Sequence, residues 1–191
     1  NVIVAGRNNV RIDEAIKAIE KENITGSVSA GIIDLASLNS VREFANEFNN
    51  PHTKLDILIN NAGVMMPPES KTVEGFELQF GVNFLGHFLL TNLLYNKLKS
   101  TQNSRVVTLS SIAHRGASID FENLRVEKPY DARREYYQSK LADLVFALEL
   151  GRRYESNNDN ILSVACHPGF TKTELQRHIN PEILKKMTFM D

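Results

Sequence analysis

The sequence predicts an α/β domain built on a doubly wound parallel sheet. Short β-branched or apolar runs recur five times along the 191 residues, and stretches with helical apolar spacing separate them. The residues that close those runs are polar or glycine: Arg7, Asp34, Asn60-Asn61-Ala62-Gly63, Ser110-Ser111 and Pro168-Gly169. In an open parallel sheet the carboxyl ends of the strands share one edge, and ligands bind there. A purely structural domain has no need to collect such residues on that edge.

The elements follow in order. Residues 2–5 form a run of the kind found in a strand buried on both faces. Ile12, Ala15, Ile16 and Ile19 share one face of a helix predicted over residues 12–24. Residues 28–35 read as the second strand, and Ser37 caps a helix carrying Val41, Phe44, Ala45 and Phe48 on one face. Residues 55–59 are the third strand, running into Asn60-Asn61-Ala62-Gly63 and a loop with Met65, Met66, Pro67 and Pro68. A long helix is expected over residues 73–99, broken in its first third. Residues 106–109 are the fourth strand, ending at Ser110-Ser111, with a polar stretch of roughly twenty residues after it. A helix containing Tyr136 runs to about residue 154. Residues 161–165 are the fifth strand, closing on His167-Pro168-Gly169. Two short helical pieces end the chain, the second starting at Pro181.

The composition, 42% hydrophobic and 24% charged, is that of a globular protein with one sizeable core. A net charge of −1 gives no global attraction to nucleic acid or anionic membrane. No apolar run reaches the ~18 residues of a membrane span, and no signal peptide is visible. The one cysteine, Cys166, has no partner for an intrachain disulfide, which favours the cytoplasm or another reducing compartment and suggests a small buried thiol. Asn1-Val2-Ile3-Val4-Ala5-Gly6 opens in mid-strand, and Met187-Thr188-Phe189-Met190-Asp191 stops without a terminal element. The expectation is one domain over residues 1–191, truncated at both ends.

Chemistry is densest around Tyr136-Tyr137-Gln138-Ser139-Lys140. Residues four apart share a helix face, so the Tyr136 hydroxyl and the Lys140 ammonium can point into one cleft. A free tyrosine titrates near about 10, and an adjacent fixed cation pulls that value down. Tyr137, three residues from Lys140, also shares the face, and spacing alone leaves both tyrosines open. Asn83, in an otherwise apolar helix, is a buried amide that needs partners.

In order and spacing, Asn60-Asn61-Ala62-Gly63, Asn83 within Val82-Asn83-Phe84-Leu85-Gly86-His87-Phe88, Ser111 at a strand end, Tyr136-x-x-x-Lys140 and Pro168-Gly169 resemble the short-chain dehydrogenase/reductases. The resemblance covers nearly the whole chain. Gly81-Val82-Asn83-Phe84-Leu85-Gly86-His87-Phe88-Leu89-Leu90-Thr91 and Leu109-Ser110-Ser111-Ile112-Ala113-His114 look like the retinol dehydrogenase and protochlorophyllide reductase-like branch. The long separation of Ser111 from Tyr136 points the same way. The family's first strand and its Gly-x-x-x-Gly-x-Gly phosphate loop are absent from this sequence. That strand is internal in the family's sheet.

The resemblance implies a Rossmann-type sheet and an oxidoreductase that interconverts alcohol and carbonyl. It makes Tyr136 the general acid/base, favoured over Tyr137, and gives Lys140 both the lowering of the tyrosine pKa and a bond to the nicotinamide ribose. Ser111, favoured over Ser110, would hold the substrate oxygen. Asn83 would sit at a kink whose backbone holds a water relaying protons from Lys140, or would bond a neighbouring strand, or both. Asp34, Leu35, Asn61, Ala62 and Gly63 would meet the adenosine half of the cofactor. Pro168, Gly169 and Thr171, with Thr173, would touch the nicotinamide amide. Arg7 stands where an acid would bind the 2′-hydroxyl of NAD(H), so NADP(H) is favoured.

The expected substrate is a small apolar carbonyl or alcohol, without nucleic acid as a partner and with a homo-oligomer possible through the helices beginning near Val73 and Tyr136. His87, His114 and His167 have no metal-ligand spacing, and His52 and His178 read as surface residues. The alternative function is a dinucleotide-binding or partner-binding scaffold that has lost its chemistry.

Overall fold

The computed structural model describes residues 1–22, 25–169 and 173–179. Five strands alternate with helices: β1 Val2–Gly6, α1 Asn9–Glu20, β2 Val28–Ile32, α2 Leu38–Asn49 and β3 Ile57–Asn60 come first. A π-helical turn Phe80–Leu85, α3 Gly86–Leu93, α4 Tyr95–Ser100, β4 Ser104–Leu109, α5 Ala132–Ser156 and β5 Ile161–Cys166 follow. All strand pairings are parallel, but the sheet is split in two, β1-β2 and β3-β4-β5. The split falls between β1 and β3, where the family resemblance places the strand that this sequence does not contain. A cleft of about 1450 Å³ lies there, lined along its walls by Val2, Ile3, Val4 and by Ile57, Leu58, Ile59.

Two apolar cores hold the layers. Ile33, Leu35, Val41, Ala45, Val64, Val82, Leu90 and Leu94 pack α2, α3 and the first strand ends together. Leu98, Val106, Tyr154 and Ile161 join α4, β4, α5 and β5. Gly86 is required by the first of these: a β-carbon there would stand 2.9 Å from the carbonyl oxygen of Leu35.

Several boundaries differ from the sequence expectation for physical reasons. Asn8 accepts from the N–H of Arg11 at 3.1 Å, so α1 begins three residues before its apolar stripe. Residues 73–77 are a turn, not helix, with Gly75 at φ +82° and Lys71 bridged to Glu77. The Glu77 carboxylate accepts from the N–H groups of Gln79 and Phe80 at 2.9 and 2.7 Å and caps the helix there instead. The π-helical turn begins within the first third, where the break is expected, and a second irregularity that was not expected falls at Leu94, φ −95°, between α3 and α4. Cys166 is exposed at the end of β5, against the expectation of a buried thiol. A 3-10 turn spans Glu174–Gln176, and the helical piece expected from Pro181 lies outside the described residues. No helix among the described residues is long and apolar enough to cross a membrane.

Candidate active site

Helix α5 starts where Asp131 accepts from the N–H groups of Arg133 and Arg134 at 2.9 and 3.0 Å. Its buried face carries Tyr136, Ser139, Lys140 and Asp143, spaced by three and four residues. The two tyrosines part company on this helix. Tyr136 is 5% exposed. Tyr137 is half-buried, its hydroxyl accepts from Arg133 Nε at 3.0 Å, and the Arg133 guanidinium lies 5.1 Å from its ring centre. The two tyrosines thus differ in burial and in partners.

The carboxyl end of β4 delivers the two serines. Ser110 is buried and its hydroxyl donates to the Lys140 carbonyl at 2.6 Å. Ser111 is half-buried; its Oγ accepts from the N–H of Ala113 at 3.2 Å, which leaves its O–H as a donor. Lys140 Nζ donates to the Leu109 carbonyl at 3.0 Å and to Asp143 Oδ2 at 2.8 Å.

The π-helical turn brings Asn83 to the same place from the other side. Its Oδ1 accepts from the N–H of Val64 at 2.8 Å, and its Nδ2 donates to the Val64 carbonyl at 3.0 Å and to Ser139 Oγ at 2.9 Å. The Ser139 hydroxyl donates in turn to the Tyr136 carbonyl at 2.8 Å. One amide thus clamps the loop after β3 to the helix that carries the tyrosine. The side-chain bond expected of Asn83 goes to that loop. Its backbone carbonyl faces His87 Nδ1 at 2.8 Å. Burial holds the His87 pKa down at about 4, so the ring is neutral near pH 7, and Nδ1 carries the proton because a carbonyl only accepts.

Gly63 joins this cluster to the cleft between the sheets. A β-carbon there would lie 3.1 Å from Asn83 Oδ1, so a side chain at this position would press on the amide that holds the loop. Arg7, Asp34, Leu35, Asn61, Ala62 and Gly63 all line the cleft. Asp34 Oδ1 accepts from the N–H of Ala36 at 3.0 Å, and Leu35 is buried in the core, leaving its backbone for contact. Pro168 and Gly169 follow β5 in exposed backbone, Gly169 with φ +72°, and are not among the cleft's lining residues. Thr171 lies outside the described residues, and Thr173 caps the Glu174–Gln176 turn. Among the described residues no His, Cys, Asp and Glu cluster could hold a metal ion.

Residues 1–184 match the short chain dehydrogenase family. The chain belongs to that family. It is 48% identical over 179 residues to human "Retinol dehydrogenase 13", covering 93% of this chain and 54% of that protein. Human "Polyprenol dehydrogenase" is 38% identical over 183 residues, covering 94% and 56%. The chain thus spans about half the length of the curated relatives it matches. Among solved structures, an uncharacterized protein of Mycobacterium Paratuberculosis superposes with a TM-score of 0.73 at 34% identity, covering 93% of this chain and 71% of that one.

On this short-chain dehydrogenase scaffold, the sequence reading missed a polar network that fixes the segment between Ser111 and Tyr136. Gln79 accepts from the N–H of Met66 at 2.8 Å and donates to Tyr130 Oη and to the Ala132 carbonyl at 3.2 and 2.9 Å. Tyr130 donates to the Pro67 carbonyl at 2.8 Å. Glu135, next to the catalytic candidate, accepts from Asn123 Nδ2 at 3.1 Å and from Gln138, whose Oε1 accepts from the N–H of Asp120. Arg11 and Arg177 also reach the cleft.

Proposed function

We propose that the protein carrying this chain is an NADP-dependent oxidoreductase that interconverts an apolar alcohol and its carbonyl compound. The supporting observation is that Lys140, on the buried face of α5 with Tyr136, bonds the end of β4 just before Ser111, while Asn83 ties the loop after β3 to the same helix through Ser139. When bound, NADP(H) supplies or accepts the hydride. Tyr136 gives its proton to the carbonyl oxygen in reduction and takes it from the alcohol in oxidation. Ser111 donates to the same oxygen and holds it against the tyrosine. Lys140 favours the phenolate and has one N–H left for the ribose, its other two serving Leu109 and Asp143. Asn83 holds the loop after β3 through Val64, and its carbonyl, which already accepts from His87, keeps a second lone pair for a water of the relay that the ribose hydroxyl would link to Lys140.

The residues present fit the two ends of a dinucleotide. Arg7 would meet the 2′-phosphate, Asp34 and Leu35 the adenine, and Asn61, Ala62 and Gly63 the adenosine side. Pro168, Gly169 and Thr171 would meet the nicotinamide amide. An apolar alcohol is the natural first substrate to try, because relatives are named for retinol and polyprenol. Phe88, Val145 and Leu148, exposed on α3 and α5, are where a homo-oligomer would pack.

The test is a titration of the full-length protein with NADPH and NADH, followed by retinal and a panel of apolar aldehydes. Expected are tighter binding of NADPH by about tenfold, a difference of ~1.4 kcal/mol, and oxidation of NADPH by at least one aldehyde. Binding without oxidation by any carbonyl compound would favour the inactive scaffold instead.

A further inference from the structure

Asp143 sits one turn beyond Lys140 on α5, is 1% exposed, and has no part in the chemistry described above. Its Oδ2 holds the Lys140 ammonium at 2.8 Å. Its Oδ1 is buried and meets no hydrogen-bond partner among the described residues. Packing alone gives no reason for a carboxylate in the run Leu141-Ala142-Asp143-Leu144-Val145-Phe146, where removing an ion from water is costly and an apolar side chain would serve. Lys140 itself is 5% exposed, so the pair works in a poorly screened interior.

A lone ammonium would act on Tyr136 as a full charge. An ammonium paired at 2.8 Å acts as a dipole, whose field falls off faster with distance. We propose that Asp143 is a positioning residue for the acid–base step: it fixes the Lys140 ammonium and tempers the field that Lys140 exerts on Tyr136. This rests on the assignment of Tyr136 and Lys140 made above. Other titratable groups on the elements packed against this face of α5 are His87 on α3, His114 beside Ser111, and Cys166 at the end of β5. His87 feels the Lys140 charge and is held neutral down to about 4 by burial. Burial pushes the Asp143 carboxyl up, against the pull of Lys140.

Tyrosinate absorbance, titrated in the full-length protein without added cofactor, tests this directly. Subtracting the Tyr136→Phe titration isolates Tyr136, and the pair is repeated in the Asp143→Asn background. The expected result is a Tyr136 midpoint lower by about 1 pH unit in Asp143→Asn, with a parallel shift in the half-maximal pH of alcohol oxidation. Equal midpoints in the two backgrounds overturn the proposal. Asp143→Ser carries the same comparison if Asp143→Asn does not fold. If neither folds, the carboxylate serves the fold and the proposal fails. Turnover retained by Tyr136→Phe would instead sink the functional assignment, while the absorbance titration would still decide what Asp143 does to the tyrosine.

Discussion

Replacing Asn83 by alanine isolates the clamp on which the candidate site is built. Asn83 is 1% exposed and makes three side-chain hydrogen bonds, to the Val64 N–H at 2.8 Å, the Val64 carbonyl at 3.0 Å and Ser139 Oγ at 2.9 Å. Alanine strands the Val64 N–H outright, and each buried group left unpaired costs about 1–3 kcal/mol. The carbonyl and the serine oxygen lose an acceptor contact each, at the lower end of that range. The sum is about 4 kcal/mol, a large share of the ~5–15 kcal/mol that holds a domain folded. Urea denaturation followed by circular dichroism measures it. Asn92→Ala is the control: that side chain is exposed, donates to the Phe88 carbonyl at 2.7 Å, and should cost under about 1 kcal/mol. A loss below about 1 kcal/mol for Asn83→Ala would show that the loop after β3 does not depend on the amide, and the geometry argued for the site would fall with it.

Three other outcomes follow from Glu77, Ser111 and Ser110. Burial raises the Glu77 carboxyl from its ordinary 4.5 to about 7, with the charge of Glu135 adding to the rise and the N–H groups of Gln79 and Phe80 opposing it. Between those values the unfolded chain binds fewer protons, so the contribution of Glu77 to stability is full below about 4.5 and lost as pH rises through about 7. Stability of the parent relative to Glu77→Gln should therefore fall by about 3 kcal/mol from acid to pH 8; parallel pH curves would refute the assignment. At the strand end, Ser111→Ala should lower kcat by about 10²-fold with stability nearly unchanged, because only its O–H is free to meet substrate. Ser110→Ala should do the reverse, costing about 1 kcal/mol through the lost bond to the Lys140 carbonyl while kcat stays within a few fold. Steady-state kinetics and thermal melts on both variants separate the two patterns, and an exchange of the patterns would swap the serines' roles.

The strands were legible because their apolar runs are short and end in polar residues, as at Ile57–Asn60 and Ser104–Leu109. The Ser37 cap of α2 was legible because a serine there precedes a clean apolar stripe. The start of α1 was not, since Asn8 caps a first turn that carries no buried residue before Ile12. The turn at residues 73–77 was hidden for a related reason. Glu77, fully buried, caps the following helix through its side chain, whereas sequence reading expects a charged residue outside. Tyr136, Lys140, Ser111 and Asn83 could be placed at one edge from spacing and resemblance. Their supporting shell could not, because Ser139, Gln79, Glu135 and Gln138 are buried polar residues that each take a partner from another segment of the chain. Asp143 had a visible signal nonetheless: an acid inside an apolar helical run, three residues from the lysine.

The most direct test of the central claim is turnover of the full-length protein carrying Tyr136→Phe. The substitution removes one hydroxyl from a ring that is 5% exposed and has the neighbouring backbone held by Ser139. Carbonyl reduction with NADPH should fall by about 10³-fold or more, while the Kd for NADPH stays within a few fold of the parent. A Tyr136→Phe protein that reduces its substrate at the parent's rate would contradict the assignment of Tyr136 as the acid and base of the reaction.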